Sequence, residues 1–304
     1  MKVAYGFPFH HAPPSPDMLV GTNLSDLARL AEEAGFAAAW LTEHPAPGQA
    51  WREAGGHDAL DPFVGLGLVA AATSTLRLLT YLTVVPYRNP FLLAKSVATL
   101  DVLSGGRVEL GVGAGYMKTE FRALGVDFDQ RNTAFDQAID VMKLAWSGEP
   151  VTFAGEGFSA RSVASLPMPV QRPHPKLWFG GNSRLTLRRV VEHGGGWMPL
   201  PNARATARHL HSPPLESFDD LAVLLVRLHE YADRIGRSGP IDVMYWLPPV
   251  TEARDMKRHV VLAGKARELG ASWLVVNGQG TTAADARSFV LRYREHVLAH
   301  LEGE

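Results

Sequence analysis

Short apolar runs alternate along this chain with stretches whose apolar positions recur at helical spacing, and the pattern is sharpest between Leu76 and Phe121. Leu76 to Val85 is an apolar run long enough for a strand buried on both faces. Asn89-Pro90 then predicts a helix start, with Asn as N-cap and Pro at the first helical position. Leu93, Val97, Leu100 and Leu103 form the apolar stripe of that helix, and Ser104-Gly105-Gly106 ends it. A second apolar run, Val108 to Val112, follows and merges into Gly111, Gly113 and Gly115. Strand, helix and strand in this order predict a right-handed crossover between parallel strands. The glycines fall at the carboxyl end of the second strand. Parallel α/β folds bind ligands there, and a bare backbone permits close approach.

The same alternation runs through the rest of the chain. Lys2 to Phe7 and Ala37 to Leu41 read as strands, separated by a helix with its apolar face at Leu24, Leu27, Leu30, Ala31 and Ala34. Residues 45–60 read as a long loop, and Asp61-Pro62 opens a helix that runs through Ala72. Helices are predicted over Lys118 to Leu124 and Thr133 to Trp146. Gly155, Gly157, Pro167, Pro169, Pro173 and Pro175 rule out a long helix in 149–175, which reads as an inserted hairpin and extended segment. Strands are predicted at Lys176 to Phe179, Gly196 to Met198, Ile241 to Leu247 and Trp273 to Val276, with helices at 218–235, 252–269 and 282–301. Residues 199–215 are polar and proline-containing, either a mobile flap or a surface connection. Eight strands, each followed by helix or loop, predict a (β/α)8 TIM barrel with an insertion around 149–175. A doubly wound open sheet would show the same alternation.

Composition narrows the class. The 304 residues fit one barrel domain over 1–304, since such a barrel takes about 250. A formal net charge of −1 gives no global pull toward nucleic acid or anionic membrane. The absence of cysteine removes disulfides, thiolate nucleophiles and cysteine-held metals. Met1 to Phe9 already reads as a strand and no apolar stretch reaches the roughly 18 residues of a membrane span. A cytoplasmic protein acting on a small molecule is the expectation.

Candidate chemistry sits at strand ends. Gly180-Gly181-Asn182-Ser183 lies between a strand and a helix, a place where backbone N–H groups and the helix dipole hold an anion. The plainer reading is a turn with Asn182 or Ser183 as N-cap. Glu43 and His44 sit at the end of the second strand, and strand alternation lets only one face the site unless the strand has already turned. His44 suits general acid/base work, or else is a hydrogen-bonded structural histidine. His10-His11 lacks the alternate spacing that would aim two ring nitrogens at one metal, so no metal site is expected. Phe9, Trp51, Tyr81, Tyr116, Trp178, Trp197 and Trp246 fall at strand ends and loops. Trp178 and Trp197 read as core. The others, gathered at one barrel mouth, would suit a flat aromatic cofactor and an apolar substrate.

Four stretches carry a family resemblance: AEEAGFAAAWLTEH (31–44), VPYRNPFLLAKSVATLDVLSGGRVELGVGAGYMKTEFRALG (85–125), PVQRPHPKLWFGGNS (169–183) and GGGWMPL (194–200). They resemble the luciferase-like monooxygenase superfamily of flavin- and deazaflavin-dependent barrels, and 85–125 is most similar to the branch that uses coenzyme F420. The resemblance implies a barrel with an insertion after the fourth strand and a cofactor across the strand ends. Its phosphate would lie on Gly180, Gly181, Asn182 and Ser183. Its ring would lie near Tyr81, Leu82, Gly113, Gly115 and Tyr116, with a non-proline cis peptide at Tyr81-Leu82. Tyr81 stands where many relatives carry a small residue, and Gly195 where many carry an acidic one. His44 matches the histidine beside ring and substrate, and His10, Trp51 and Trp246 are the candidate substrate contacts. Reduced F420 would make the chain a hydride-transferring reductase or dehydrogenase, whereas FMN would make it a monooxygenase. Non-catalytic flavin-binding members exist as well, and homodimers are common in the family.

Overall fold

The computed structural model describes residues 1–9, 14–155 and 157–301; His10 and His11 lie outside the described residues. In chain order the strands are β1 (Lys2–Gly6), β2 (Ala38–Leu41), β3 (Arg77–Val84), β4 (Val108–Gly113), β5 (Val151–Gly155), β6 (Phe158–Val163), β7 (Lys176–Gly180), β8 (Gly196–Met198), β9 (Asp242–Trp246) and β10 (Ala271–Asn277). Eight of them close into a parallel barrel in the order β1-β2-β3-β4-β7-β8-β9-β10, and β10 pairs back onto β1. Closure excludes the open sheet. The remaining two, β5 and β6, form the antiparallel hairpin of the insertion. Asp101 ties down the extended segment after it: its buried carboxylate accepts the N–H groups of Val170 (2.7 Å) and Gln171 (3.0 Å).

The local signals act as their chemistry dictates. Asn89 accepts the N–H of Phe91 at the start of helix Pro90–Leu103, and Asp61 accepts those of Phe63 and Val64 at the start of helix Pro62–Ala72. Several boundaries differ from expectation, among them the last strand, Ala271–Asn277, which is longer than Trp273 to Val276. The segment 45–60 contains a short helix, Gln49–Glu53, too brief to show periodicity. The helix expected from Thr133 begins at Arg131. The closing helix passes through a π-helical turn, Arg294–Leu298, that buries both Val297 and Leu298.

Tryptophan rings fill the barrel interior. Trp40, Trp178 and Trp273 pack there with Ala4, Ala38, Leu79, Met198, Met244 and Val275. The neighbouring strands supply glycines to make room. A Cβ on Gly6 would lie 2.2 Å from the Trp40 ring, and one on Gly196 would lie 2.2 Å from the Trp178 ring. The Trp178 indole N–H donates to Glu109 at 2.6 Å, and Glu109 also pairs with Arg77. A filled interior leaves the carboxyl ends of the strands as the place for a cavity. Trp197, also fully buried, lies in the outer layer between barrel and helices and donates to the Gly181 carbonyl at 2.8 Å.

Gly111 shows how tight the wall is, since a Cβ there would lie 2.0 Å from the Thr80 carbonyl oxygen, a backbone atom that cannot step aside. Gly111→Ala is therefore expected to lower unfolding free energy by about 3 kcal/mol. Gly264, within helix Ala253–Glu268, has nothing within 4 Å of a Cβ, and Gly264→Ala is expected to raise stability by about 0.5–1 kcal/mol. Urea denaturation midpoints of the two variants check both signs.

Candidate active site

A cavity of about 620 Å³ opens at the carboxyl ends of the barrel strands, a size suited to a cofactor and a small molecule together. Its floor is made by Trp40, Tyr81, Met198 and Trp246, the uppermost inward side chains of their strands. Tyr81 packs on Trp40 (5.1 Å between ring centroids) and Trp246 (5.9 Å). The Tyr81-Leu82 peptide is cis, at the position the family resemblance implies. The Leu82 side chain lies across the strand-end glycines, and a Cβ on Gly113 or Gly180 would approach it to 2.6 or 2.3 Å. Part of the reason for those glycines is therefore the Leu82 side chain. Gly115, at φ +78°, leaves space for Val84 and Phe121 in the same way.

Glu43 and His44 lie beyond the end of β2 at Leu41, where strand alternation no longer holds, and both border the cavity, against the expectation that only one would, though their partners differ. Buried Glu43 accepts the Val84 N–H (2.7 Å) and the Arg88 guanidinium (2.5 Å), which also bonds Asp61. Burial pushes the Glu43 carboxyl above the usual range, opposed by the Arg88 charge. It clamps the end of β3 to that of β2. His44 borders the cavity and sets its Nδ1 3.4 Å from Glu120, a fully buried carboxylate. Trp51 packs on His44 at 4.8 Å and reaches the site through it, without itself lining the cavity. Tyr116 lines the cavity 6.4 Å from His44, its phenol pushed up by burial.

At the other end, Gly180, Gly181, Asn182 and Ser183 all border the cavity, but their polar groups are unequally available. The Gly181 N–H donates to Met198 O (3.0 Å) and the Asn182 N–H to Ser212 Oγ (3.1 Å). Ser183 is the N-cap of helix Arg184–His193 and accepts the Thr186 N–H. The outward amides are those of the first helical turn, from Ser183 onward. Asn182 is 1% exposed and wholly engaged: it accepts from Leu200 N and donates to Leu200 O, Pro213 O and Asn202 Oδ1. It thereby pins residues 199–215, whose Leu200, Pro201, Leu210, His211 and Ser212 wall the cavity.

Cations unmarked by any sequence motif gather near those amides. Arg131 and Arg189 both line the cavity. Arg189 is paired with Asp136 at 2.6 Å, whereas Arg131 has no carboxylate within 4.0 Å among the described residues. Arg131 lies 3.9 Å over the Phe128 ring, with Lys118 5.0 Å from the same ring. Burial first, then the charges of Arg131, Lys118 and His209, hold His211 below the usual imidazole range. Positive charge and free amides at one place suit an anion chemically.

Comparisons with known proteins give the family and the fold. Residues 1–261 match the family model described as luciferase-like monooxygenase. An uncharacterised protein of Mycobacterium tuberculosis is 33% identical over 186 residues, 57% of this chain; the chain spans 66% of that relative's length. Among solved structures, a monooxygenase from Streptomyces bottropensis superposes with a TM-score of 0.77 at 20% identity, covering 99% of this chain and 100% of that one. A coenzyme F420-dependent tetrahydromethanopterin reductase from Methanopyrus kandleri gives 0.71 at 17% identity, covering 98% of each chain. At these identities the superpositions establish the shared fold.

Removing the Asn182 side chain strands several buried partners at once. Asn182→Ala is expected to cost about 2–3 kcal/mol and to open 199–215 to limited proteolysis, with cleavage sites read by mass spectrometry while far-ultraviolet circular dichroism stays unchanged.

Proposed function

We propose that this chain, which belongs to the luciferase-like monooxygenase family, is an oxidoreductase that binds coenzyme F420 in the barrel-mouth cavity and exchanges a hydride with a small organic substrate. One observation carries the reading: a single cavity is lined both by the helix N-cap Ser183 with Arg131, groups suited to an anion, and by His44. Lys118 shares the Phe128 ring with the cavity-lining Arg131, and this extra positive charge favours the more heavily anionic of the two candidate cofactors. An FMNH2-dependent dimethylsulfone monooxygenase of Pseudomonas putida, 33% identical over 130 residues (42% of this chain and 35% of that one), supports FMN as the second reading.

The residues present fit such a cofactor. Backbone amides from Ser183 onward, with Arg131, would hold its phosphate. Tyr81, Leu82, Gly113, Gly115 and Tyr116 would border the ring. When bound, the cofactor supplies the hydride chemistry and the protein supplies position and electrostatics. Trp40, Met198 and Trp246 exclude water from the floor. The Trp246 indole N–H is buried without a partner among the described residues, so it can donate to an acceptor atom on a ligand. His44 moves the proton that must accompany hydride transfer, taking it from an alcohol being oxidised or giving it to a substrate being reduced. His57 lines the cavity 5.1 Å from His44.

A homodimer through helices Pro62–Ala72 and Pro90–Leu103 belongs to the same reading. Val64 (76% exposed), Leu92 (68%) and Leu103 (77%) leave apolar surface open there.

Titration of the purified protein with F420 and with FMN, oxidised and reduced, followed by fluorescence quenching, tests the cofactor. Tighter binding of F420 is expected, and Arg131→Ala is expected to weaken it about 10- to 100-fold. Binding of neither cofactor removes the proposal, and tight binding with no turnover of any donor–acceptor pair makes the chain a flavin-binding protein. His44→Ala is expected to lower turnover about 10²- to 10⁴-fold with cofactor affinity retained. Turnover at the wild-type rate would take His44 out of the chemistry. Sedimentation velocity on Leu92→Glu beside the parent reads the dimer.

A further inference from the structure

The carboxylate behind His44 has no part in the cavity wall, yet its surroundings give it a defined task. Glu120 lies in helix Lys118–Ala123, immediately after the glycine-rich end of β4, and is 0% exposed. Its Oε1 accepts the Ala46 N–H at 3.3 Å and its Oε2 accepts the Tyr87 hydroxyl at 2.8 Å. Burial and the Glu120 bond push the Tyr87 phenol upward, so Tyr87 stays a neutral donor. Two donors fixed on the two oxygens leave Glu120 an acceptor toward its remaining neighbour. That neighbour is His44 Nδ1, at 3.4 Å. The distance is long for a hydrogen bond, as such contacts often are before a substrate is present.

We propose that Glu120, held by Tyr87 and Ala46, is a positioning residue that fixes the His44 tautomer: Nδ1 keeps its proton toward Glu120, and Nε2 is left as the proton-accepting atom. The proposal rests on His44 being the acid/base group of the function proposed above. The geometry is that of a histidine oriented by a carboxylate, in which the carboxylate touches neither substrate nor cofactor. A neutral imidazole with its proton on Nε2 would place a nitrogen lone pair against two carboxylate lone pairs, whereas the Nδ1–H form places a donor there. With an alcohol being oxidised, Nε2 would accept the hydroxyl proton, and Glu120 would face the imidazolium that results. In the reducing direction the same proton returns to the substrate. Trp51, His57 and Tyr116 pack around the ring and restrict its rotation. Glu43, next in sequence, is turned to Arg88 and does not compete for Nδ1.

The test reads the imidazole directly and needs no turnover. Long-range ¹H–¹⁵N spectra of the cofactor-free protein at pH about 9, well above the ordinary imidazole range, should show His44 as the Nδ1–H tautomer, assigned by its loss in His44→Ala. In Glu120→Gln the amide can offer either oxygen or nitrogen to Nδ1, and mixed tautomers are expected. Glu120→Asp, which keeps the charge on a shorter arm, should restore the Nδ1–H form in part, and Tyr87→Phe tests whether the orientation of the carboxylate matters. An Nε2–H tautomer in the parent, or an unchanged spectrum in folded Glu120→Gln, overturns the proposal. With cofactor and substrate, Glu120→Gln is expected to lose at least about tenfold in kcat while cofactor affinity holds. Failure of both F420 and FMN to bind would sink the functional reading and leave the tautomer result standing on its own.

Discussion

The fit of tryptophan rings against missing side chains is the constraint on which the architecture depends. A small parallel barrel has just enough interior for one set of side chains, and here Trp40, Trp178 and Trp273 occupy most of it. Gly6 and Gly196 cannot carry a side chain without meeting a ring. The interior is consequently closed below the level of Tyr81 and Trp246, and a cavity of about 620 Å³ lies at the strand ends. The packing that stabilises the barrel also decides where a ligand can sit.

One level higher, the same logic shapes the cavity. Leu82 lies over Gly113 and Gly180, so glycines on two neighbouring strands serve one side chain on a third. Glu43 joins the ends of β2 and β3 through Val84 and Arg88. Asn182 joins the end of β7 to the wall formed by 199–215. The ends of β2, β3, β4 and β7 are thus tied to one another or to the cavity wall by buried contacts. A cavity built this way can hold a fixed shape although loops form its rim.

Much of this was legible in the residues. The caps at Asn89, Asp61 and Ser183 and the glycine stops mark their elements, because capping is local chemistry. The alternation of strand and helix carried the barrel, including the inserted hairpin. The remainder was hidden because it depends on residues distant in sequence. His44 and Glu120 are 76 residues apart, and Tyr87 and Glu120 are 33 apart. On a helix pattern Glu120 reads as one more acid. Arg131 reads as loop because the helix it opens was expected to begin at Thr133. Gly113 and Gly180 read as room for a ligand, and only the fold shows the Leu82 side chain lying over them. The turn at 180–183 is both the plain capped turn and a ligand wall, since Ser183 caps the helix while bordering the cavity.

The way 199–215 is fastened has a bearing on how such a protein could diversify. Its two anchors, Leu200 and Pro213, receive their bonds from one asparagine through main-chain atoms, which any residue type provides. The side chains between them, Ala203 to Leu210, are free of that duty. Drift or laboratory recombination can rewrite this arc, and with it the shape of molecule admitted, while the strand-end glycines and the N-cap at Ser183 are inherited unchanged.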